Sequence, residues 1–293
     1  MPEHKSGPLR FDRILLPVEF SEPEITAVRH AAALARKFDS ELIMLHVNQI
    51  LLHGDLDETT KAQASGWIKS VEAQRKHDLN DYLTEELEGV KLRRMVVSGD
   101  PADKIVEIAR EEGVDLIVIA TRGYGNLRRY LLGSVTAKVL HDTEIPVWTG
   151  AHLRDPELRR WHDITNIICG LDDTKNAPHV LDTALQLAQL FQAHLTVSNV
   201  MPELWMTSDN PLESAQDTDA AEERVHTMLA KRQASAEVHI GRGPASVVLS
   251  DLAGRKNAQL IVIGRSGTSA ADGRLRHNSY TIIRDAPCAV LSI

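Results

Sequence analysis

The sequence predicts an α/β protein built from two repeated doubly wound domains, each with a five-stranded parallel sheet flanked by helices. Short, nearly continuous apolar runs alternate with helical periodicity along the chain, which is typical of parallel strands covered on both faces. The same pattern occurs twice. With 293 residues, 43% of them hydrophobic, the chain can fill two cores of ordinary size.

The repeat is visible segment by segment, and its first part is offset by 153 positions. The matching segments are RILLPVE (13–19) over NIICGLD (166–172), ELIMLHV (41–47) over HLTVSNV (194–200), GDPA (99–102) over RGPA (242–245), and DLIVIATRG (115–123) over QLIVIGRSG (259–267). Each unit has roughly 140–150 residues, the usual size of a domain. We predict a first domain at 1–150, a connector at 151–165 and a second domain at 166–293.

The elements of the first unit follow in order. Ile14–Val18 is apolar and predicts a buried strand. Ser21 to Glu24 is a capping box with a proline in the first turn, which predicts a helix that runs to about Phe38. Leu42–Val47 predicts the next strand.

A long helix follows, because apolar residues between Ile68 and Leu87 mark one helical face. Leu92–Val97 predicts a strand, and the segment from Pro101 to about Glu111 predicts a helix. The remaining elements are a strand at Leu116–Ala120, a helix from Ser134 and a strand at Pro146–Thr149.

Composition excludes several classes of function. A net charge of −8 and a pI of about 5.9 argue against a broad nucleic-acid interface, which needs clustered Lys and Arg. The first ten residues lack the apolar core of a secretion signal, and no run reaches the ~18 apolar residues of a membrane span, so we expect a cytoplasmic protein. Cys169 and Cys288 lie in apolar runs without metal-ligand spacing, so we expect two buried thiols.

The segment ATRGYGNLRRYLLGS (120–134) points to an anion site. It leaves the carboxyl end of a predicted strand and ends at Gly-Ser where a helix begins, and the free N–H groups of a helix start attract anions. Other nucleotide motifs fail on spacing, because neither a G-x-x-x-x-G-K-[ST] loop nor a G-x-G-x-x-G after the first strand occurs.

The spacing of this segment resembles the ATP-binding signature of the universal stress protein family, which is glycine, two residues, glycine, nine residues, glycine, then serine or threonine. Here Ala120 replaces the first glycine, and Gly123, Gly133 and Ser134 supply the rest. The resemblance covers nearly all of both halves, and it implies the adenine-nucleotide alpha-hydrolase-like fold.

The resemblance also implies an ATP site in the first half. The phosphates would lie at the start of the last helix and the base over the ends of the first two strands, with Glu19 where the family usually has aspartate. Magnesium would enter only with bound ATP, and no catalytic set stands out. The implied nucleotide-binding residues are Pro17, Val18, Glu19, Val47, Ile119, Ala120, Arg122, Gly123, Gly133, Ser134, Val135 and Thr136.

The second half departs from the family pattern in its loop. Asp172 stands where the family has its aspartate, but nine residues after Gly267 the chain has His277-Asn278 instead of Gly-Ser. We therefore expect a degenerate loop and a structural role for this half. The weaker, second candidate site consists of Asp172, Val200, Gly264 and Gly267.

The sequence thus favours an ATP-binding stress or regulatory protein. A weak ATPase or autophosphorylating enzyme and a scaffold that binds a protein or another small molecule remain alternatives. The edge strands at Val147–Thr149 and Cys288–Ile293 predict pairing of the two domains within the chain, and a homodimer of whole chains stays open. The acidic insertion 203–223 is expected to be a mobile loop, with Trp205 and Met206 as a less favoured partner contact.

Overall fold

A computed structural model of the chain describes residues 8–21, 24–49, 58–121, 132–150, 163–201, 211–265 and 273–293. The chain divides into two compact units, whose main parts are Arg10–Gly150 and His162–Ile293. In each unit, neighbouring strands run parallel. The predicted fold class, two repeated α/β units with parallel sheets, is confirmed.

The first unit has the strand order β3-β2-β1-β4-β5. Its elements are β1 (Arg13–Val18), α1 (Ile25–Phe38), β2 (Glu41–Asn48), α2 (Glu58–Asp81), β3 (Lys91–Ser98), α3 (Pro101–Glu111), β4 (Leu116–Ile119), α4 (Ser134–Asp142) and β5 (Val147–Thr149). Each predicted strand agrees with the observed one to within a residue at either end, because an apolar run between polar turns leaves little freedom in where a buried strand begins or ends.

The second unit repeats this order as β8-β7-β6-β9-β10. Its elements are β6 (Asn166–Leu171), α5 (Ala177–Phe191), β7 (His194–Met201), α6 (Pro211–Ala230), β8 (Glu237–Arg242), α7 (Ala245–Lys256), β9 (Leu260–Ile263), α8 (Gly273–Asp285) and β10 (Ala289–Ser292). The central strands β4 and β9 are fully buried runs of Leu-Ile-Val-Ile.

The register of the repeat differs from the predicted one by a residue near the third helix of each unit. The sequence match aligns Gly99 with Arg242. In the structure, however, the residue of the second unit that has the same position as Gly99 is Gly243. Both glycines have positive φ, and both donate their N–H to the last residue of the second strand, Asn48 or Met201, at 3.0 Å. From here to the fourth strand the offset is therefore 144.

The predicted extent of α2 is wrong. The helix ends at Asp81, and Leu83 has a left-handed backbone with φ 48, which an α-helix does not accommodate. Leu87 reaches the core from the turns that follow, with 4% of its surface exposed. Its apolar spacing reflects a packed turn and not a continued helical face.

The expectation of a mobile loop at 203–223 is also corrected. Residues 211–223 lie within α6, so most of the acidic stretch is helical. Trp205 and Met206 lie outside the described residues. The two cysteines are buried as predicted, and burial raises the pKa of both thiols, that of Cys288 to about 12. Among the described residues, no helix combines the length and the apolar character needed to span a bilayer.

Candidate functional site

The carboxyl ends of β1 and β4 lie side by side where the strand order of the first unit reverses. Open parallel sheets bind ligands at this point, because the helices leave in opposite directions and open a crevice. The buried ends Val18 and Ile119 form the floor of the edge, with half-buried Pro17 and Ala120 beside them. The structure thus brings these four predicted residues together.

The start of α4 is tied to the end of β4 by two hydrogen bonds. The N–H of Gly133 donates to the carbonyl of Thr121 at 2.9 Å, and the hydroxyl of Thr136 donates to the carbonyl of Ala120 at 2.7 Å. These bonds close the loop between strand and helix at its base. Arg122 and Gly123, two predicted phosphate contacts in that loop, lie outside the described residues.

The first turn of α4 has unsatisfied donors. Gly133 provides no side-chain cap, and the first helical hydrogen bond runs from the N–H of Ala137 to the carbonyl of Gly133 at 2.8 Å. The N–H groups of Ser134 and Val135 therefore have no acceptor within the helix, and no bond to another described residue is seen for them. Ser134 is exposed and Val135 is half-buried, and the N–H groups of this first turn carry the positive end of the helix dipole.

Thr136 differs from its neighbours. It is 4% exposed and its hydroxyl hydrogen is committed to Ala120. The residue therefore braces the helix against the strand, and its hydroxyl has no hydrogen left to donate to a phosphate.

At the other side of the edge, β1 is followed by the exposed carboxylate of Glu19. Its one hydrogen bond to the described residues is a 3.5 Å contact from the hydroxyl of Ser21. Nearby protein atoms displace water from the carboxylate and raise its pKa, and the Ser21 contact offsets part of that rise. Glu19 therefore presents a nearly free acceptor beside the half-buried Val47 of β2, one strand away.

His46 is a core histidine near the end of β2. It is 9% exposed, and its Nδ1 lies 2.8 Å from the carbonyl oxygen of Val18. Burial lowers the pKa of its imidazole, although this hydrogen bond opposes the change. The matching residue of the second half, Asn199, makes the same bridge to Leu171 at 3.3 Å. This position therefore serves the fold in both halves.

The second unit is built differently where its last helix begins. α8 starts at Gly273 and has 13 residues, whereas α4 has nine. His277 and Asn278, the predicted counterparts of the Gly-Ser pair, are thus the fifth and sixth residues of the helix. Their N–H groups fall within the intrahelical hydrogen-bonding range.

Asp172 and Gly264 of the second candidate site are engaged in contacts within the protein. Asp172 Oδ1 accepts from the N–H and the hydroxyl of Thr174, at 3.2 and 2.6 Å, so the carboxylate caps its own turn. Val200 is half-buried in β7. A methyl group on Gly264 would approach Val180 to 3.1 Å, so this glycine serves close packing against α5. Gly267 lies outside the described residues.

The same comparison explains Ala120, which replaces a glycine of the signature. Val180 corresponds to Ala27 in the first half, and we infer that the smaller side chain leaves room for the methyl group of Ala120. Ala120 is not among the described residues with positive φ, so the alanine causes no backbone strain.

Comparison with known proteins agrees with this architecture. A family model described as the universal stress protein family matches residues 10–149 and 164–293. The chain belongs to the universal stress protein family. Two matches in one chain also make it a tandem member, with one family unit in each half.

Individual universal stress proteins match one unit or the whole chain. MJ0577 of Methanocaldococcus jannaschii is 34% identical over 152 residues, which are 47% of this chain and 93% of that protein. MJ0531 of the same organism is 30% identical over 143 residues, which are 49% of this chain and 84% of that protein. A universal stress protein from Archaeoglobus fulgidus has a similar fold, with 20% identity, a TM-score of 0.64 and coverage of 97% of this chain and 96% of that one.

Sequence reasoning missed one part of this edge in the universal stress protein fold. Glu24 accepts a hydrogen bond from the backbone that follows β1, and Tyr82 contacts both the Glu24 carboxylate and the Phe20 ring. The capping box identified Glu24 as a helix cap, but nothing in the local sequence indicated that it also holds Glu19, or that a residue from beyond α2 joins it.

Proposed function

We propose that this universal stress protein binds one ATP per chain, in its first half, with the triphosphate at the start of α4. The observation that carries the proposal is the uncapped first turn of α4, which is fastened to the end of β4 at the point where the strand order reverses. A helix start of this kind attracts phosphate through its free N–H groups and its dipole.

The residues divide between the two ends of the nucleotide. The N–H groups of Ser134 and Val135 and the Ser134 hydroxyl would bind phosphate oxygens, and the resemblance adds Arg122 and Gly123. Thr136 would hold the helix in place through Ala120, as its hydrogen bond suggests. Magnesium would be bound through the phosphates.

The base and ribose would lie over Pro17, Val18 and Val47. Glu19 belongs at this end, because a carboxylate repels phosphate but accepts hydrogen bonds from an amino group or from ribose hydroxyls. Its longer side chain, in the place of the family's aspartate, would reach the ribose or the base from its exposed position.

Two observations favour the first half over the second. α8 begins before His277-Asn278, the position that corresponds to Gly-Ser in the first half. A phosphate at that position would therefore meet N–H groups that already have acceptors within the helix. In addition, Asp172 Oδ1 already accepts a hydrogen bond from the Thr174 hydroxyl in its own turn.

Isothermal titration of the full chain with Mg-ATP tests the proposal. We expect one site per chain, and nucleotide released from the purified, undenatured protein should be identified as ATP or AMP by mass spectrometry. Two equal sites would contradict the preference for the first half, and no heat together with no thermal shift would favour the scaffold alternative. Release of phosphate during the titration would favour the enzyme.

cAMP serves as a second nucleotide in the same titration. Because cAMP has one phosphate, the triphosphate contacts proposed at α4 predict much tighter binding of ATP.

A further inference from the structure

A single buried carboxylate holds the backbone that follows β1. Glu24 is 1% exposed. Its Oε2 accepts from the N–H of Glu19 at 2.7 Å, and its Oε1 accepts from the N–H of Ser21 at 3.0 Å. These two N–H groups belong to the residues before and after Phe20, so the Glu24 side chain holds the backbone on both sides of Phe20.

Phe20, the residue between these two N–H groups, has an unfavourable backbone conformation. Phe20 has φ 59, in the left-handed region that bulky L-residues rarely adopt. Such a conformation persists only where the surrounding structure fixes it. The Phe20 ring packs against the rings of His46 and Tyr82, with centroids 4.7 and 4.9 Å away, and the guanidinium of Arg75 lies 5.7 Å from its centroid.

Glu24 is itself anchored from another element. The phenol of Tyr82, the first residue after α2, donates to Glu24 Oε1. The carboxylate thus has three donors, and the path Tyr82 to Glu24 to Glu19 connects the end of α2 with the edge of the sheet. A carboxylate with this many partners is fixed in place, and it fixes what it holds.

The second half lacks this arrangement. Ala177 stands where the first half has Glu24, and Asp173 stands where it has Phe20. Asp173 is not among the described residues with positive φ. The turn after β6 is held instead by the carboxylate of Asp172, the residue that corresponds to Glu19.

We propose that Glu24 is a positioning residue for the nucleotide site, and that it holds Phe20 in its strained conformation so that the Glu19 side chain stays free for the ligand. The inference rests on the ATP site proposed for the first half. In the second half the acidic residue holds its own turn; in the first half Glu24 takes over that task, which leaves Glu19 available.

The substitution Glu24→Gln tests this role at nearly constant volume. Glutamine has one carbonyl oxygen, so one of the two N–H groups that flank Phe20 must lose its acceptor. We expect the Kd for Mg-ATP to rise about tenfold, and the amides of Glu19 or Ser21 to exchange hydrogen faster in the unliganded protein.

Asp115→Ala is the matched control. Asp115 Oδ2 accepts from the N–H groups of Asp12 and Arg13 at 2.9 and 3.0 Å, so it holds the backbone at the amino end of β1 as Glu24 holds it after the carboxyl end. This variant should lower the unfolding temperature and leave the Kd for Mg-ATP unchanged. If Glu24→Gln weakened binding only through a general loss of stability, both variants would raise the Kd for Mg-ATP to a similar extent.

Tyr82→Phe gives a second, milder variant, which keeps the ring against Phe20 and removes the hydrogen bond to Glu24. We expect about a threefold rise in Kd, and this variant carries the test if Glu24→Gln does not fold. An unchanged Kd in Glu24→Gln, or in Tyr82→Phe when it stands in, would overturn the positioning role while the proposed function survives. Failure of the parent protein to bind ATP in the same titration would overturn both.

Discussion

The two halves of the chain share one strand order and differ at the carboxyl edge of the sheet. In the first half, α4 begins at Ser134 after an N-cap glycine, Gly133, that has no side chain to cap the helix, and the Glu19 carboxylate is nearly free. In the second half, α8 begins earlier, at Gly273, and Asp172 caps its own turn. The strand order and the buried Leu-Ile-Val-Ile strands β4 and β9 are the same in both halves, so the proposed site depends on where a helix begins and on which side chain holds a turn.

The halves also differ by a reversal of charge. Arg93 on β3 pairs with Glu112, which follows α3, and Glu237 on β8 pairs with Lys256, which ends α7; the closest N–O distance is 2.6 Å in both. The strand registers Ile43↔Arg93 and Thr196↔Glu237 make the two positions equivalent. Both halves place a pair of opposite charges at this position, with the direction of the pair reversed.

Gly133→Asp should have the largest effect, because it would abolish the feature that distinguishes the first half. A carboxylate about 4 Å from a phosphate charge costs ~4 kcal/mol at the protein surface, so we expect the Kd for Mg-ATP to rise by about 1,000-fold or more. Gly133 has φ −59 and ψ 143, which any residue adopts, and aspartate is a favourable N-cap. The unfolding temperature should therefore stay the same or rise.

Gly133→Asn separates the effect of a negative charge at position 133 from the effect of a side chain that fills the phosphate site. Asparagine also caps the helix but carries no charge, so it should weaken ATP binding far less than aspartate does. Retention of parental affinity by Gly133→Asp, measured by titration calorimetry, would show that the phosphates do not lie at α4.

His30 predicts an acid sensitivity that belongs to the first half. It is buried, it accepts a hydrogen bond from the indole of Trp148 at 3.1 Å, and burial lowers its pKa from 6.5 to about 4. The unfolded chain therefore takes up the proton first as pH falls. Stability is fully present above about pH 6.5 and should fall by about 3 kcal/mol as the pH approaches 4.

His30→Asn keeps an acceptor for the indole and removes the titration. Its free energy of unfolding should change less between pH 6.5 and 4 than that of the parent, as measured by urea unfolding at several pH values. The second half has Thr183 at this position, so no matching histidine contributes there. Equal slopes in parent and variant would contradict the assignment.

The charge reversal predicts a smaller effect. Arg93→Glu should destabilise the protein by about 1 kcal/mol, since the pair with Glu112 is partly exposed and screened. Adding Glu112→Lys should restore part of that loss, measured as coupling in a double-mutant cycle. Full recovery should also require Glu41→His, because Glu41 faces Arg93 and His194 stands in its place in the second half. Additive destabilisation would show that the direction of the pair matters.

Grafting the Gly-Ser pair onto the second half should have no effect on nucleotide binding. In His277→Gly/Asn278→Ser the new residues would lie within α8, where the N–H groups have helical acceptors. The titration should still report one site per chain. A second site would mean that residue identity, and not the start of the helix, separates the halves.

The sequence was sufficient for the strands and for the edge that carries the proposed site. Short apolar runs between turn residues, such as Leu116–Ile119, are typical of buried strands, and the same Leu-Ile-Val-Ile run at Leu260–Ile263 supports the prediction. The end of α2 was mispredicted because Leu83 turns the chain through a left-handed backbone that apolar spacing does not reveal. The early start of α8 and the hold of Glu24 on Glu19 depend on contacts across the fold, and local sequence does not encode them.

A crystal structure of the full chain with a non-hydrolysable ATP analogue and magnesium tests the central claim most directly. We predict phosphate oxygens within hydrogen-bonding distance of the N–H groups of Ser134 and Val135, and no nucleotide at α8. Nucleotide bound in the second half, or phosphates held away from α4 with Ser134 facing empty solvent, would contradict the account.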